Sequence, residues 1–228
     1  MPRIARVSVG NILYHVINRS NERARIFNTD DDYKHFEKLL QDGKDMVDMR
    51  IVAYCIMPNH WHLILYPKRD GDMGEYMRWI TTTHVRQRRV KTESIGDGHL
   101  YQGTYKSFPV ETNEYLQQLI RYVEQNPLRA KLVKKAEDWR WSSLWRRDKG
   151  NQKEKQLLSK LPIELPEDYL DFVNTISNEE LLKTIYTSVK KGKPFGSEDW
   201  MSKIVKKFGL ESTLREVGRP KKYYNTYL

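Results

Sequence analysis

His60 and His62 stand two residues apart in Met57-Pro58-Asn59-His60-Trp61-His62-Leu63-Ile64-Leu65. A β-strand would put both imidazoles on one face and give Trp61, Leu63 and Leu65 the other. Neutral imidazole is the commonest side-chain ligand for a divalent cation, and a strand holds two of them at nearly fixed separation. The same spacing fits a half-buried strand carrying two hydrogen-bonded core histidines, so a metal site needs a third ligand and a reacting group. Leu119 to Pro127 offers both. Leu116, Leu119, Ile120 and Val123 recur at helical spacing, and Tyr122 and Asn126, four apart, lie on one flank of that stripe, where the phenol and the amide carbonyl could face one point. Each also has a plainer role. The chain holds 14 tyrosines, and Asn126 ahead of Pro127 suits a helix end or the cap of the next helix.

The elements that must carry these groups follow from periodicity. Residues 12–18 read as a first strand, followed by a basic loop with Arg19, Asn21, Arg23 and Arg25. Thr29 or Asp30 caps an expected helix over 31–43, with Gly43 as its stop. Residues 50–57 are almost continuously apolar, as in a strand covered on both faces, and Pro58-Asn59 turns it into the histidine strand as a tight hairpin of residues 51–66. A loop at Gly71 to Gly74, a helix over 75–89, a strand near 104–110 and a tyrosine helix starting at Thr112 or Asn113 come next, then a short helix over 128–135. This order predicts an α+β fold of split βαβ type, an antiparallel sheet of four to five strands packed by helices. The polar stretch 146–165 places a boundary near residue 150, dividing the chain into a domain of residues 1–150 and a helical appendage of residues 151–228. In the appendage Ser177 caps a helix to about Lys190, Ser197 caps one ending at Gly209, and the end is basic through Arg215, Arg219, Lys221 and Lys222. Trp139, Trp141 and Trp145 suit packing against the first domain better than base stacking.

The formal charge of +10 and a pI near 9.5 point to a polyanionic partner. The charge is also segregated. Residues 30–50 carry seven acids against four bases, whereas residues 78–91 carry Arg78, Arg86, Arg88, Arg89 and Lys91 with no acid. That run fits either phosphate contact or a solvated helix face. The single cysteine, Cys55, excludes a disulfide framework and a thiolate zinc site, so a metal would need nitrogen and oxygen ligands. No apolar run approaches a membrane span and no signal-peptide pattern opens the chain, which predicts a cytoplasmic, nucleoid-associated protein with no membrane partner.

Together the motifs resemble a known family. Tyr14-His15-Val16, Met57-Pro58-Asn59-His60-Trp61-His62, Tyr101-Gln102-Gly103-Thr104-Tyr105-Lys106-Ser107-Phe108, Tyr122-Val123-Glu124-Gln125-Asn126-Pro127-Leu128-Arg129-Ala130 and Trp141-Ser142-Ser143 occur in the order found in the REP-associated tyrosine transposases. These are HUH single-strand DNA nucleases related to the transposases of bacterial insertion sequences. The resemblance covers roughly residues 8–148, and its one departure is Tyr101, where tryptophan is expected. It implies a ferredoxin-like HUH nuclease fold with Tyr122 as nucleophile and His60, His62 and Asn126 as ligands of Mg²⁺ or Mn²⁺. It also implies cleavage and rejoining of single-stranded DNA at the foot of a hairpin repeat through a 5′-phosphotyrosine, with no nucleotide cofactor. Arg19 and Asn21 in the first loop and Arg78, Arg86, Arg88 and Arg89 on the basic helix are the candidate DNA contacts, and a monomer is expected rather than a dimer. Two other readings stand beside it: a DNA-binding repressor derived from such an enzyme, needing neither Tyr122 nor metal, and an RNA-binding module with exposed sheet aromatics.

Overall fold

The computed structural model describes residues 6–94, 96 and 98–215. Strand β1 (Leu13–Arg19) leads to α1 (Asp30–Val47), the hairpin β2 (Arg50–Met57) and β3 (His60–Tyr66), α2 (Asp72–Lys91), β4 (Lys106–Val110) and α3 (Glu114–Glu124). The strands pair antiparallel in the order β2-β3-β1-β4, the predicted α+β arrangement with four strands among the described residues. In this register Ile17 and Cys55 flank His62, while Arg19 and Met57 flank His60.

Alternation then sorts the side chains onto two covered faces. Tyr14, Val16, Tyr54, Ile56, Trp61, Leu63 and Leu65 pack against Phe36 and Leu40 of α1 and Tyr76, Met77 and Ile80 of α2. Leu13, Cys55, Met57, Ile64, Phe108 and Val110 pack against Leu116, Leu119, Ile120 and Val123 of α3. Among the described residues both sheet faces are covered, which argues against the RNA-binding reading with its exposed sheet aromatics.

Three helix limits differ from expectation. Gly43 lies inside α1, where a Cβ would come 2.7 Å from Tyr76 Cε2, so the glycine serves the close approach of α2 rather than ending the helix. The left-handed turn falls instead at Asp48, with φ 51°. Helix α2 begins at Asp72, whose carboxylate accepts Arg69 N–H at 2.8 Å, so Gly74 is helical and not part of a loop. The helix expected over 128–135 is a single turn, α4 (Asn126–Arg129), reached from α3 through the helical φ and ψ of Gln125 and stopped by the positive φ of Lys131.

Helices α5 (Ser143–Asp148), α6 (Gln152–Lys155), α7 (Tyr169–Asn174), α8 (Glu179–Lys191) and α9 (Glu198–Phe208) complete the chain. Ser197 and Gly209 bound α9 as the sequence predicts. For α8 the cap is Asn178, whose side chain accepts Glu180 N–H at 2.8 Å, while Ser177 turns inward and donates to Gln125 Oε1 at 2.6 Å. Core packing crosses residue 150, because Tyr169, Val173, Ile185 and Phe195 join the α3 face. Trp141 stacks on Tyr33 at 4.8 Å and Trp139 Nε1 donates to Ile56 O at 3.0 Å, so both indoles pack. Arg219, Lys221 and Lys222 lie outside the described residues.

Candidate active site

Strand β3 delivers His60 and His62 to the face covered by α3, with ring centroids 5.1 Å apart. Across the interface, the Tyr122 ring stands 5.8 Å from that of His62. The hairpin and the tyrosine helix thus bring the expected imidazoles and phenol together. His60 is tied by its neighbour: Asn59 Nδ2 donates to Arg23 O at 3.0 Å, so Asn59 Oδ1 is the acceptor that faces His60 Nδ1 at 2.6 Å. The proton of His60 therefore sits on Nδ1 and its Nε2 lone pair is available. Burial, with Arg19 and Arg129 nearby, lowers the pKa of His60 to about 3, and burial together with His60, His15 and the same two arginines holds that of His62 well below the usual histidine range. Both rings are neutral at pH 7, the form that binds a cation.

Asn126 has a structural task beside its candidate role as a ligand. Pro127 has no N–H to offer the last turn of α3, and Asn126 Nδ2 substitutes by donating to Tyr122 O at 3.0 Å and Val123 O at 3.1 Å. Its Oδ1 accepts from Arg129 Nη2 at 2.8 Å. A carbonyl oxygen keeps a second lone pair, so the amide remains a possible third ligand. Among the described residues no cluster of three or more His, Cys, Asp or Glu could hold an ion. Two imidazoles and one amide oxygen fit a divalent ion that shares its other positions with phosphate oxygens and water.

The Arg129 guanidinium lies over the Tyr122 ring at 4.3 Å, and the Tyr186 ring of α8 meets it edge-on at 5.9 Å. Tyr122 is only 4 % exposed. Burial pushes its pKa up to about 12, against the opposing pull of Arg129 and Arg19, so the phenol keeps its proton at pH 7. Beside this cluster a groove of about 660 Å³ is lined by Arg6, Arg19, Lys106, Lys190 and Lys191 along with Tyr186, with no acid among the described residues that line it.

The structure separates the remaining candidates. Arg19 sits opposite His60 and reaches the groove. Asn21 is exposed on a short turn that pairs with Leu100. Helix α2 lies across the sheet from Tyr122, so Arg78, Arg86, Arg88 and Arg89 are not brought to the phenol. Arg88 and Lys91 approach Asp32 Oδ1 at 3.8 and 2.7 Å, which joins part of the basic run to the acidic start of α1. Arg89 donates to Ser94 O and Gly98 O, leaving Arg78 and Arg86 as the exposed arginines of the run. Three neighbours of the site were given no role from sequence, although His15 and Arg129 lie within the motifs that carry the resemblance. Arg129 was detectable, since seven residues from Tyr122 is two helical turns. His15 needed the strand register, and Tyr186 has no local signal.

The chain matches the family model for IS200-like transposases over residues 8–126, more than half its length. It is similar in structure to a REP-associated tyrosine transposase bound to a REP hairpin, at 20 % identity and TM-score 0.54, covering 78 % of this chain and 99 % of that one. A putative transposase from Deinococcus radiodurans aligns at 19 % identity and TM-score 0.38, covering 55 % of this chain and 97 % of that one. No curated protein sequence matches the chain. The matched segment runs from just before the first strand to the residue that closes the tyrosine helix, and on that match the chain belongs to the IS200-like transposase family.

Proposed function

We propose that this transposase cleaves and rejoins single-stranded DNA at hairpin repeats through a 5′-phosphotyrosine on Tyr122. The observation that carries the reading is the facing of His62 and Tyr122 at 5.8 Å across the β3–α3 interface. The Tyr122 oxygen attacks phosphorus in line as the phenol gives up its proton to water, the bond from phosphorus to the 3′ oxygen breaks and that oxygen takes up a proton as a 3′ hydroxyl, and the 5′ phosphate stays on the phenol; rejoining reverses the step with another 3′ hydroxyl, so no nucleotide cofactor is needed. His60 and His62, through Nε2, and Asn126, through Oδ1, would hold Mg²⁺ or Mn²⁺. When bound, such an ion polarises the scissile phosphate and offsets its developing charge. Arg129, already over the Tyr122 ring, lowers the cost of ionising the phenol.

The basic groove beside the phenol suits the sugar-phosphate backbone of the unpaired strand, with Arg19, Lys106, Lys190 and Lys191 along it. Asn21, Arg78 and Arg86 are outer contacts for a hairpin. The structural neighbour bound to a REP hairpin supports that substrate class. Residues 1–150 are the catalytic domain in this reading, and the appendage from 151 supplies one wall of the groove through α8. Incubating labelled hairpin oligonucleotide with the protein and Mn²⁺ tests the proposal on a denaturing gel. A covalent adduct is expected; tight binding with no adduct in either Mg²⁺ or Mn²⁺ would turn the function to that of a DNA-binding repressor.

A further inference from the structure

We propose that His15 is a positioning residue that decides which nitrogen of His62 is presented to the divalent ion, an inference that rests on the metal reading above. His62 Nδ1 lies 2.9 Å from His15 Nε2. In a bond between two neutral imidazoles one nitrogen donates and the other accepts. Coordination through His62 Nε2 needs a bare lone pair there, which places the His62 proton on Nδ1. His15 Nε2 must then accept, and the proton of His15 must sit on its own Nδ1. The opposite tautomer would aim an N–H of His62 at the cation.

Among the described residues, His15 is the side chain that meets a ring nitrogen of His62 at hydrogen-bond distance. The side chains directly opposite it in the sheet, those of Ile17 and Cys55, carry no nitrogen or oxygen acceptor. His15 is completely buried and held in place by its neighbours, with its ring 5.1 Å from that of His62, 4.9 Å from that of Phe108 and 6.4 Å from that of Tyr122. Its Nδ1 has no hydrogen-bond partner among the described residues. A buried imidazole nitrogen left unmatched on one side, while the other side is committed to a candidate ligand, is costly as a purely structural arrangement. His60 obtains the same orientation from Asn59, so each candidate ligand has its own partner behind it.

The test uses the full chain, Mn²⁺ titrations followed by electron paramagnetic resonance, and ¹⁵N spectra of the histidine rings in Mg²⁺. His15→Phe keeps an aromatic ring but removes the acceptor, and Mn²⁺ affinity is expected to fall about 10- to 100-fold. His15→Gln restores an acceptor oxygen and is expected to recover affinity to within a few-fold. In the wild type the His62 proton is expected on Nδ1. Unchanged Mn²⁺ affinity in His15→Phe alongside lost affinity in His62→Ala would overturn the role of His15 and leave the metal site standing. Equal Mn²⁺ binding by the wild type and His62→Ala would bring down both. Should His15→Phe fail to fold, the wild-type spectrum still decides, because a His62 proton on Nε2 in Mg²⁺ contradicts the proposal.

Discussion

The two faces of the sheet bury histidines equally deeply and wire them differently. Under α1 and α2, Trp61 Nε1 donates to Tyr101 Oη at 3.0 Å, and that hydroxyl meets His84 Nδ1 at 2.6 Å. On the same face Tyr54 Oη donates to Glu37 at 2.6 Å and Tyr76 Oη to Leu40 O at 2.9 Å. Under α3, His15 and His62 bond to each other, and His15 Nδ1 has no partner among the described residues. Burial lowers the pKa of His84 and of His15 alike to about 3. Depth of burial therefore does not separate a core histidine from one that backs a candidate ligand; the group its ring nitrogen meets does.

The two faces should differ most visibly at Tyr122. Tyr122→Phe should abolish the covalent DNA adduct while hairpin affinity stays within a few-fold, because only the phenolic oxygen is lost. Tyr115, edge-on to Phe195 at 5.2 Å near the start of α3, is the control, and Tyr115→Phe should leave the adduct in place. Peptide mapping of trapped conjugate checks both, and an adduct on another tyrosine would dissolve the functional distinction between the faces.

A change on the opposite face should read out in stability alone. Tyr101→Phe strips the hydroxyl that serves both Trp61 and His84 and leaves buried polar groups unmatched, at a cost of about 1–3 kcal/mol. Urea denaturation measures this, and cleavage by the folded variant should match the wild type. A large loss of cleavage in fully folded Tyr101→Phe would show that the two faces are coupled.

Acid provides the finest discrimination. His15 and His84 stay neutral in the folded chain down to about pH 3, whereas the unfolded chain protonates them below about 6.5. The unfolded state then binds more protons, so stability falls as pH drops through that window, by about 1.4 kcal/mol per pH unit for each fully shifted ring. Replacing His84 with Gln should remove one proton from the slope of unfolding free energy against pH. An unaltered slope would mean that this ring is not shut off from water.

The order of strands and helices was legible because alternation and helical spacing are local properties, the His60–His62 pair lies within one strand, and Tyr122 and Asn126 lie four apart where α3 passes into α4 through the helical Gln125. What escaped the sequence depends on two elements meeting. Gly43 looked like a helix stop because its reason, the Tyr76 ring, lies on another helix. Arg88 and Lys91 looked free because their partner Asp32 is on α1. The second task of Asn126, closing the end of α3, follows from Pro127 directly behind it and could have been inferred from the missing N–H.

The margins of the sheet bear on how the chain meets its own copies. Unpaired strand edges invite another chain to continue a sheet. Here Phe195 N–H donates to Pro109 O and Glu111 N–H to Phe195 O, which closes the far end of β4. Beyond β2, Ile56 N–H reaches Trp141 O, and Ser159 N–H reaches Ile51 O. The rest of the β4 margin, Lys106 and Ser107, opens on the basic groove, where the lysines of two copies would repel. A second molecule could extend the sheet only by displacing the appendage at Phe195 or the segment after Trp141. Sedimentation should accordingly show one mass across a wide concentration range, and removing the Phe195 contact should be what first lets strands from two copies join.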